Sequence, residues 1–148
     1  MKKGKKRAIT GFGVFLGFTL IFAIFFILNF KTIQVSGISM VPTFKNGQRV
    51  LVSKAYWLIG PIKDGDIVVV KDPGGPGDII KRVYKMSGEN IEVPYRPEAL
   101  VLDINRPYNV PDGYIYLLGD NRNYSEDSRK FGAVPIEKVV GKVLVYRR

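Results

Sequence analysis

Apolar and polar positions divide the chain into two unequal parts. Ala8 to Phe30 is 23 residues without a charge. As a helix this stretch would be about 35 Å long, enough to cross a hydrocarbon core of about 30 Å. From Lys31 onward there is no sustained helical period and no internal repeat. Short β-branched and aromatic runs alternate with turn residues instead: Val50–Val52, Ile67–Val70, Asp78–Tyr84, Tyr114–Leu118 and Val143–Tyr146. Their length and their bounding Gly, Pro and Asp mark them as strands. Lys63–Asp66 and Pro111–Tyr114 carry turn chemistry. Asp72–Asp78 (DPGGPGD) is a glycine-proline loop, but it lacks the Gly-Lys-Ser/Thr of a phosphate loop. Glu89–Val110 is the least regular stretch and reads as a small β excursion. The pattern predicts a mostly β domain behind one transmembrane helix.

Charge sharpens this picture. Of the net charge of +10, five units come from Lys2, Lys3, Lys5, Lys6 and Arg7; the other 18 basic and 13 acidic residues leave +5. So basic a chain raises the question of nucleic acid. The cluster, however, sits directly before the apolar run, where positive residues hold the preceding segment on the cytoplasmic side. The run is longer than the apolar region of about 7–15 residues in a cleavable signal peptide, and it ends in Asn29-Phe30-Lys31-Thr32 rather than Ala-x-Ala. It therefore reads as an uncleaved anchor. The expected organisation is a basic cytoplasmic tail over 1–7, a signal-anchor helix over 8–30 and an extracytoplasmic domain over 31–148. The partner implied is the lipid bilayer of the cell membrane, crossed once, and not nucleic acid. Trp57-Leu58-Ile59 forms an apolar-aromatic patch that serves either core packing or contact with the membrane interface.

The chain contains neither histidine nor cysteine. That excludes a Ser-His-Asp triad, a thiolate nucleophile, a disulfide framework and His- or Cys-ligated metal. One serine raises a question nonetheless. In SGISMVPTF, Ser36 to Phe44, Ser39 lies two residues after a glycine and three before a proline. It is either a turn serine bonding its own backbone or a nucleophile. A nucleophile needs a base, and lysine is one of few candidates left. A free lysine has a pKa of about 10.4 and must be desolvated to act, which can lower that value by as much as about 3–5 pH units. Desolvation calls for a lysine inside an apolar strand, as in DIIKRVY, Asp78 to Tyr84. There Ile79, Lys81 and Val83 share one face and Arg82 points away. Lys81 is either such a base or an edge-strand lysine that discourages aggregation.

A third stretch, GDNRNYSEDSRKFGAV (Gly119 to Val134), packs Asp120, Asn121, Arg122, Glu126, Asp127, Arg129 and Lys130 behind an apolar strand, a density that suggests buried polar cross-links. Together these stretches resemble type I signal peptidases, the membrane-anchored serine proteases that cut signal peptides from exported proteins. Ser36–Thr43 resembles the nucleophile box and Gly65–Val69 the next box. Lys81-Arg82-Val83 resembles the lysine box. Gly119-Asp120-Asn121-Arg122, with Ser125, Asp127, Ser128, Arg129 and Gly132, resembles the final box.

The resemblance implies an antiparallel β-sheet domain and acyl transfer, with Ser39 as nucleophile and Lys81 as general base. It also implies that Ser125 orients the lysine and that Asp127 and Arg129 pair to shape the site. Ile33, Val35, Met40 and Ile80 would line shallow pockets for small side chains. The substrates implied are secreted preproteins with small residues before the cleavage site; no cofactor and no metal are implied. Two departures stand out. Some members carry a serine where this chain has Gly37, so the oxyanion must rest on backbone N–H groups, chiefly that of Ser39. The glycine matches Gram-positive members. After the lysine box, the family's usual Gly-x-Pro-Gly-Asp is replaced by Tyr84–Glu89, which retains only Gly88. Two rival readings remain: an inactive membrane-tethered β domain that binds or chaperones exported proteins, and a self-cleaving repressor-type Ser-Lys peptidase. An intact Ser39 and Lys81 weigh against the first, and the anchor against the second.

Overall fold

The computed structural model describes residues 3–100 and 107–144. A long helix, α1 (Lys3–Asn29), runs directly into β1 (Phe30–Gln34). β2 (Arg49–Ser53), the one-turn helix α2 (Tyr56–Ile59), β3 (Ile67–Lys71), β4 (Asp78–Lys85) and β5 (Asn90–Ile91) follow. After the excursion come β6 (Tyr108–Asn109), β7 (Tyr114–Leu118), the short helix α3 (Ser128–Phe131), β8 (Val134–Pro135) and β9 (Val139–Leu144). The Gly11–Asn29 part of α1 has a mean hydropathy of 2.5 and none of it is buried within the protein. The helix begins upstream of the apolar run and ends at Asn29. Phe30, expected to close the helix, opens β1 instead.

Seven strands form one antiparallel sheet in the order β1-β2-β9-β3-β4-β7-β8, and β5 pairs with β6 as a separate ribbon. That ribbon is the predicted excursion. All five predicted strands are present, although Val145 and Tyr146 lie outside the described residues. β9 also starts earlier than the apolar run suggests, because Gly141 interrupts the pattern. A Cβ at Gly141 would sit 2.6 Å from Val52 Cγ1 and 2.9 Å from the Ser53 carbonyl oxygen. Only glycine lets β9 approach β2 this closely.

The centre of the sheet is buried on both faces, which explains the unbroken Ile67–Val70 run. Ile67 and Val69 face one cluster, with Val35, Met40, Phe44, Val50, Val52, Ile80 and Val143. Val68 and Val70 face the other, with Val83, Ile115, Leu117 and Val134. Each of these aliphatic side chains contributes about 1.5–3 kcal/mol by leaving water. A third cluster of Ile91, Val110, Tyr116 and Leu118 roots the excursion in the sheet. Trp57 and Leu58 are not core residues: Trp57 is 76% exposed and Leu58 56% exposed. The Trp57 ring lies 5.8 Å from that of Phe25 on α1. The core-packing reading of this patch is thereby removed.

Candidate active site

β4 carries Lys81 on a buried stretch that pairs with β3. Its register places Lys81 opposite Val68, and Ile79, Lys81 and Val83 share a face, as alternation predicted. Lys81 is 4% exposed. Burial pushes its pKa below the ordinary lysine value, against the weaker opposing pull of Asp127, Asp72 and Glu126. Its Nζ lies 3.0 Å from Ser39 Oγ, in hydrogen-bond contact. Two residues 42 positions apart are thus joined at the distance that proton transfer requires.

Ser39 sits in the turn that follows β1. Asn121 fixes this turn at two points: its backbone N–H donates to the Ser39 carbonyl at 2.9 Å, and its Nδ2 donates to the Ile38 carbonyl at 3.2 Å. Asn46 Oδ1 accepts from the Gly37 N–H at 2.9 Å. Gly37 has φ +88°, a conformation that a side chain would strain.

A cross-brace stands behind the pair. Arg82, on the opposite face of β4 from Lys81, donates through Nε and Nη2 to Asp120 at 2.8 and 2.7 Å. The Thr43 hydroxyl donates to the same carboxylate. Burial opposes the charge on Asp120, but these bonds outweigh it and hold its pKa below the usual range. The brace links the nucleophile turn, the lysine strand and the loop after β7. Sequence reading grouped these residues into motifs without giving them this role. The available signal was strand alternation, which turns Arg82 away from Lys81 and leaves it needing an anion.

Asp127 is wholly buried and forms a two-point ion pair with Arg129, Nε to Oδ1 at 2.8 Å and Nη2 to Oδ2 at 2.9 Å. It also accepts from the Gly119 N–H at 3.0 Å. Burial disfavours its charge, yet the bonds from Arg129 and Gly119 keep its pKa below the ordinary carboxylate value. The expected pairing is therefore present, and the burial read from the preceding apolar strand is correct. Ser125 differs from expectation. Its hydroxyl, expected to orient the lysine, is buried with no partner in hydrogen-bonding geometry among the described residues. Its nearness to Asp127 only helps lower that carboxylate's pKa. It packs instead on Gly119, where a Cβ would fall 2.1 Å from Ser125 Oγ and 2.7 Å from the Ser39 carbonyl oxygen. Glycine at 119 is what lets the three segments meet.

Beside Ser39 and Lys81 lies a cavity of about 110 Å³ lined by Ile33, Val35, Val69 and Ile80. Three of the four predicted lining residues are there. Met40 is not: it is fully buried in the core beneath, packed with Val35 and Phe44. Along Asp78–Lys81 the strand pairs with β3 on one side only, since its pairing with β7 begins at Arg82. That leaves a free sheet edge beside the cavity.

The sequence profile described as "Signal peptidase, peptidase S26" matches residues 8–109 and 94–146. The chain belongs to this family. It is therefore a serine endopeptidase. Signal peptidase I of Bacillus caldolyticus is 35% identical over 140 residues, covering 77% of each chain. Signal peptidase I U of Bacillus subtilis (strain 168) is 30% identical, covering 92% of this chain and 84% of its own. Mitochondrial ATP-independent inner membrane protease subunit 1a of Arabidopsis thaliana is 34% identical, covering 78% and 68%. A signal peptidase I of known crystal structure, from Enterococcus faecalis V583, is 26% identical with a TM-score of 0.45 and covers 57% of this chain and 97% of its own.

The buried ion pair generates a prediction. Asp127→Asn should lower stability at pH 7 by about 3 kcal/mol, as expected for a buried pair rather than an exposed one. The sign with pH follows from the lowered pKa of Asp127. Its stabilising contribution is complete above the unfolded value of about 3.9 and is lost as pH falls towards the folded value. Thermal melts should show a Tm gap between wild type and Asp127→Asn at pH 7 that narrows below about pH 4. Equal Tm values at pH 7 would contradict the assignment.

Proposed function

We propose that this signal peptidase family member removes signal peptides from exported preproteins through Ser39 as nucleophile and Lys81 as general base. The observation that carries the proposal is the 3.0 Å contact between Ser39 Oγ and a buried Lys81 whose pKa is lowered. Neutral Nζ takes the proton from Ser39 as Oγ attacks the scissile carbonyl carbon. The negative charge moves to the carbonyl oxygen, where the Ser39 backbone N–H stabilises it. As the intermediate collapses, the C–N bond breaks and the Lys81 proton passes to the leaving amine. A water molecule then enters, gives a proton to Nζ and attacks the acyl ester. The C–O bond breaks and Ser39 regains its proton.

Substrate binding follows from the free edge at Asp78–Lys81. An extended segment adds there as a strand, gaining main-chain hydrogen bonds. Alternate side chains enter the cavity beside Ile33, Val35 and Ile80. Its volume of about 110 Å³ suits small residues before the cleavage site. In this reading Asp127 and Arg129 hold the site's shape, and Ser125 fills the contact with Gly119 beside Ser39.

The basic residues between Lys2 and Arg7, directly before the apolar run, support an N-terminus in the cytoplasm and a domain from residue 31 on the extracytoplasmic face. Exposed Trp57, packed beside Phe25 near the end of α1, then lies at the membrane interface, where tryptophan is favoured.

Two outcomes are expected. For purified protein acting on a preprotein with Ala-x-Ala before the cleavage site, kcat/KM should rise with pH through a limb below the ordinary lysine pKa. Below the lowered pKa the base is already protonated and cannot accept the serine proton. Ser39→Ala and Lys81→Met should each abolish cleavage while keeping the wild-type Tm, because neither partner works alone. Substantial cleavage by Lys81→Met, or a flat profile from pH 5 to 9, would remove Lys81 as base. Separately, protease added outside intact cells should digest the domain and spare the basic N-terminus. Digestion only in inside-out vesicles would reverse the orientation.

A further inference from the structure

We propose that Asn121 is the positioning residue that aims the oxyanion donor. The inference deepens the reading of Ser39 as nucleophile and rests on it. An oxyanion donor must be held rigid and free of other acceptors before charge develops. In this chain the chief donor is a backbone group, the Ser39 N–H, because glycine occupies position 37. The question is what fixes the direction of that N–H.

The peptide between Ile38 and Ser39 is planar and trans; the only cis bond among the described residues is Val41–Pro42. In a trans peptide the C=O and N–H point in opposite directions. Whatever holds the Ile38 carbonyl therefore aims the Ser39 N–H. Two donors hold it: Asn121 Nδ2 at 3.2 Å and the Val41 N–H at 3.1 Å. The Val41 bond closes a local turn and travels with the segment. The Asn121 bond ties that turn to the loop after β7, 83 residues away in sequence. The next peptide is held in the same way, since the Asn121 backbone N–H donates to the Ser39 carbonyl. On the other side, Asn46 takes the Gly37 N–H and fixes the start of the turn. Among the described residues nothing accepts from the Ser39 N–H itself, which stays open for an incoming oxygen.

The arrangement separates two roles within one residue. The Asn121 backbone bond to Ser39 survives any substitution of the side chain, so the turn keeps its main anchor. The carboxamide bond to Ile38 is the part a substitution removes. Removing it leaves the fold and the cavity intact but frees the Ile38–Ser39 peptide to rock. The loss therefore falls on the transition state, where the oxyanion exists, and not on the ground state.

The test uses the full-length protein in detergent. Asn121→Ala should lower kcat about 10-fold, below the 10²–10³ loss from deleting an oxyanion donor outright, with KM within about twofold. A peptide aldehyde, which binds Ser39 as a tetrahedral adduct bearing the oxyanion, should weaken by the same factor as kcat. A matched peptide with a reduced scissile bond has no carbonyl oxygen and should bind as it does to wild type. Asn121→Asp keeps the shape but turns a donor into an acceptor facing the Ile38 carbonyl, so it should be slower than Asn121→Ala at the same Tm. Wild-type kcat in Asn121→Ala would overturn the proposal. So would equal weakening of the aldehyde and the reduced peptide, which would mark a general loss of site structure. Cleavage surviving in Ser39→Ala would instead remove the reading on which the proposal rests.

Discussion

A lysine kept out of water is the constraint around which this domain is organised. An ammonium group is so costly to bury that the protein holds Lys81 in its neutral form more readily than a free lysine. That preference suits Lys81 to the proposed role of base at moderate pH, and it requires apolar packing around most of the side chain. The sheet supplies this packing. β3 and β4 are buried on both faces at their centre, with Ile79 and Val83 beside Lys81 and Val68 opposite it. The carboxylates of Asp127, Asp72 and Glu126 pull the other way. Of these, Asp127 pulls most even though it is paired at two points with Arg129, and burial outweighs it.

Once the lysine is buried, the serine must come to it. Three segments far apart in sequence converge there, and each contributes a strut beside its functional residue. Thr43 lies four residues past Ser39, Arg82 follows Lys81, and Asp120 follows Gly119. The carboxylate of Asp120 takes bonds from both of the others. Gly119 removes the side chain that would otherwise separate Ser39 from Ser125. In the proposed two-residue mechanism, preorganisation of this kind stands in for the histidine that the chain lacks.

Much of this was legible in the sequence because it rests on local periodicity. The anchor followed from 23 uncharged residues. The face of Lys81 follows from strict alternation in DIIKRVY, and the burial of Asp127 from charge placed directly after an apolar strand, while its pairing with Arg129 is what the family resemblance implies. What the sequence hid depends on contacts that leave no periodic trace. β1 was missed because FKTIQ is an edge strand with little burial, and β8 because two residues carry no pattern. Gly141 broke the run that would have announced all of β9. The family resemblance puts Met40 at the cavity, whereas the turn sends it inward to the core. The family resemblance has Ser125 orient the lysine, a role with no periodic trace, and its hydroxyl has no hydrogen-bond partner among the described residues. The clamp on the Ile38 carbonyl depends on an asparagine 83 residues away, a distance over which local patterns say nothing.

The proposed chemistry turns on the protonation state of one side chain, and that state can be read without any substrate. Lysine labelled with 13C at Cε reports its own protonation by NMR, and a spectrum of Lys81→Met assigns the Lys81 signal. In the intact protein Lys81 should titrate below every exposed lysine, because burial penalises its charged form. A Lys81 signal that titrates together with the exposed lysines would contradict the account, since a base protonated throughout the working pH range could not activate Ser39.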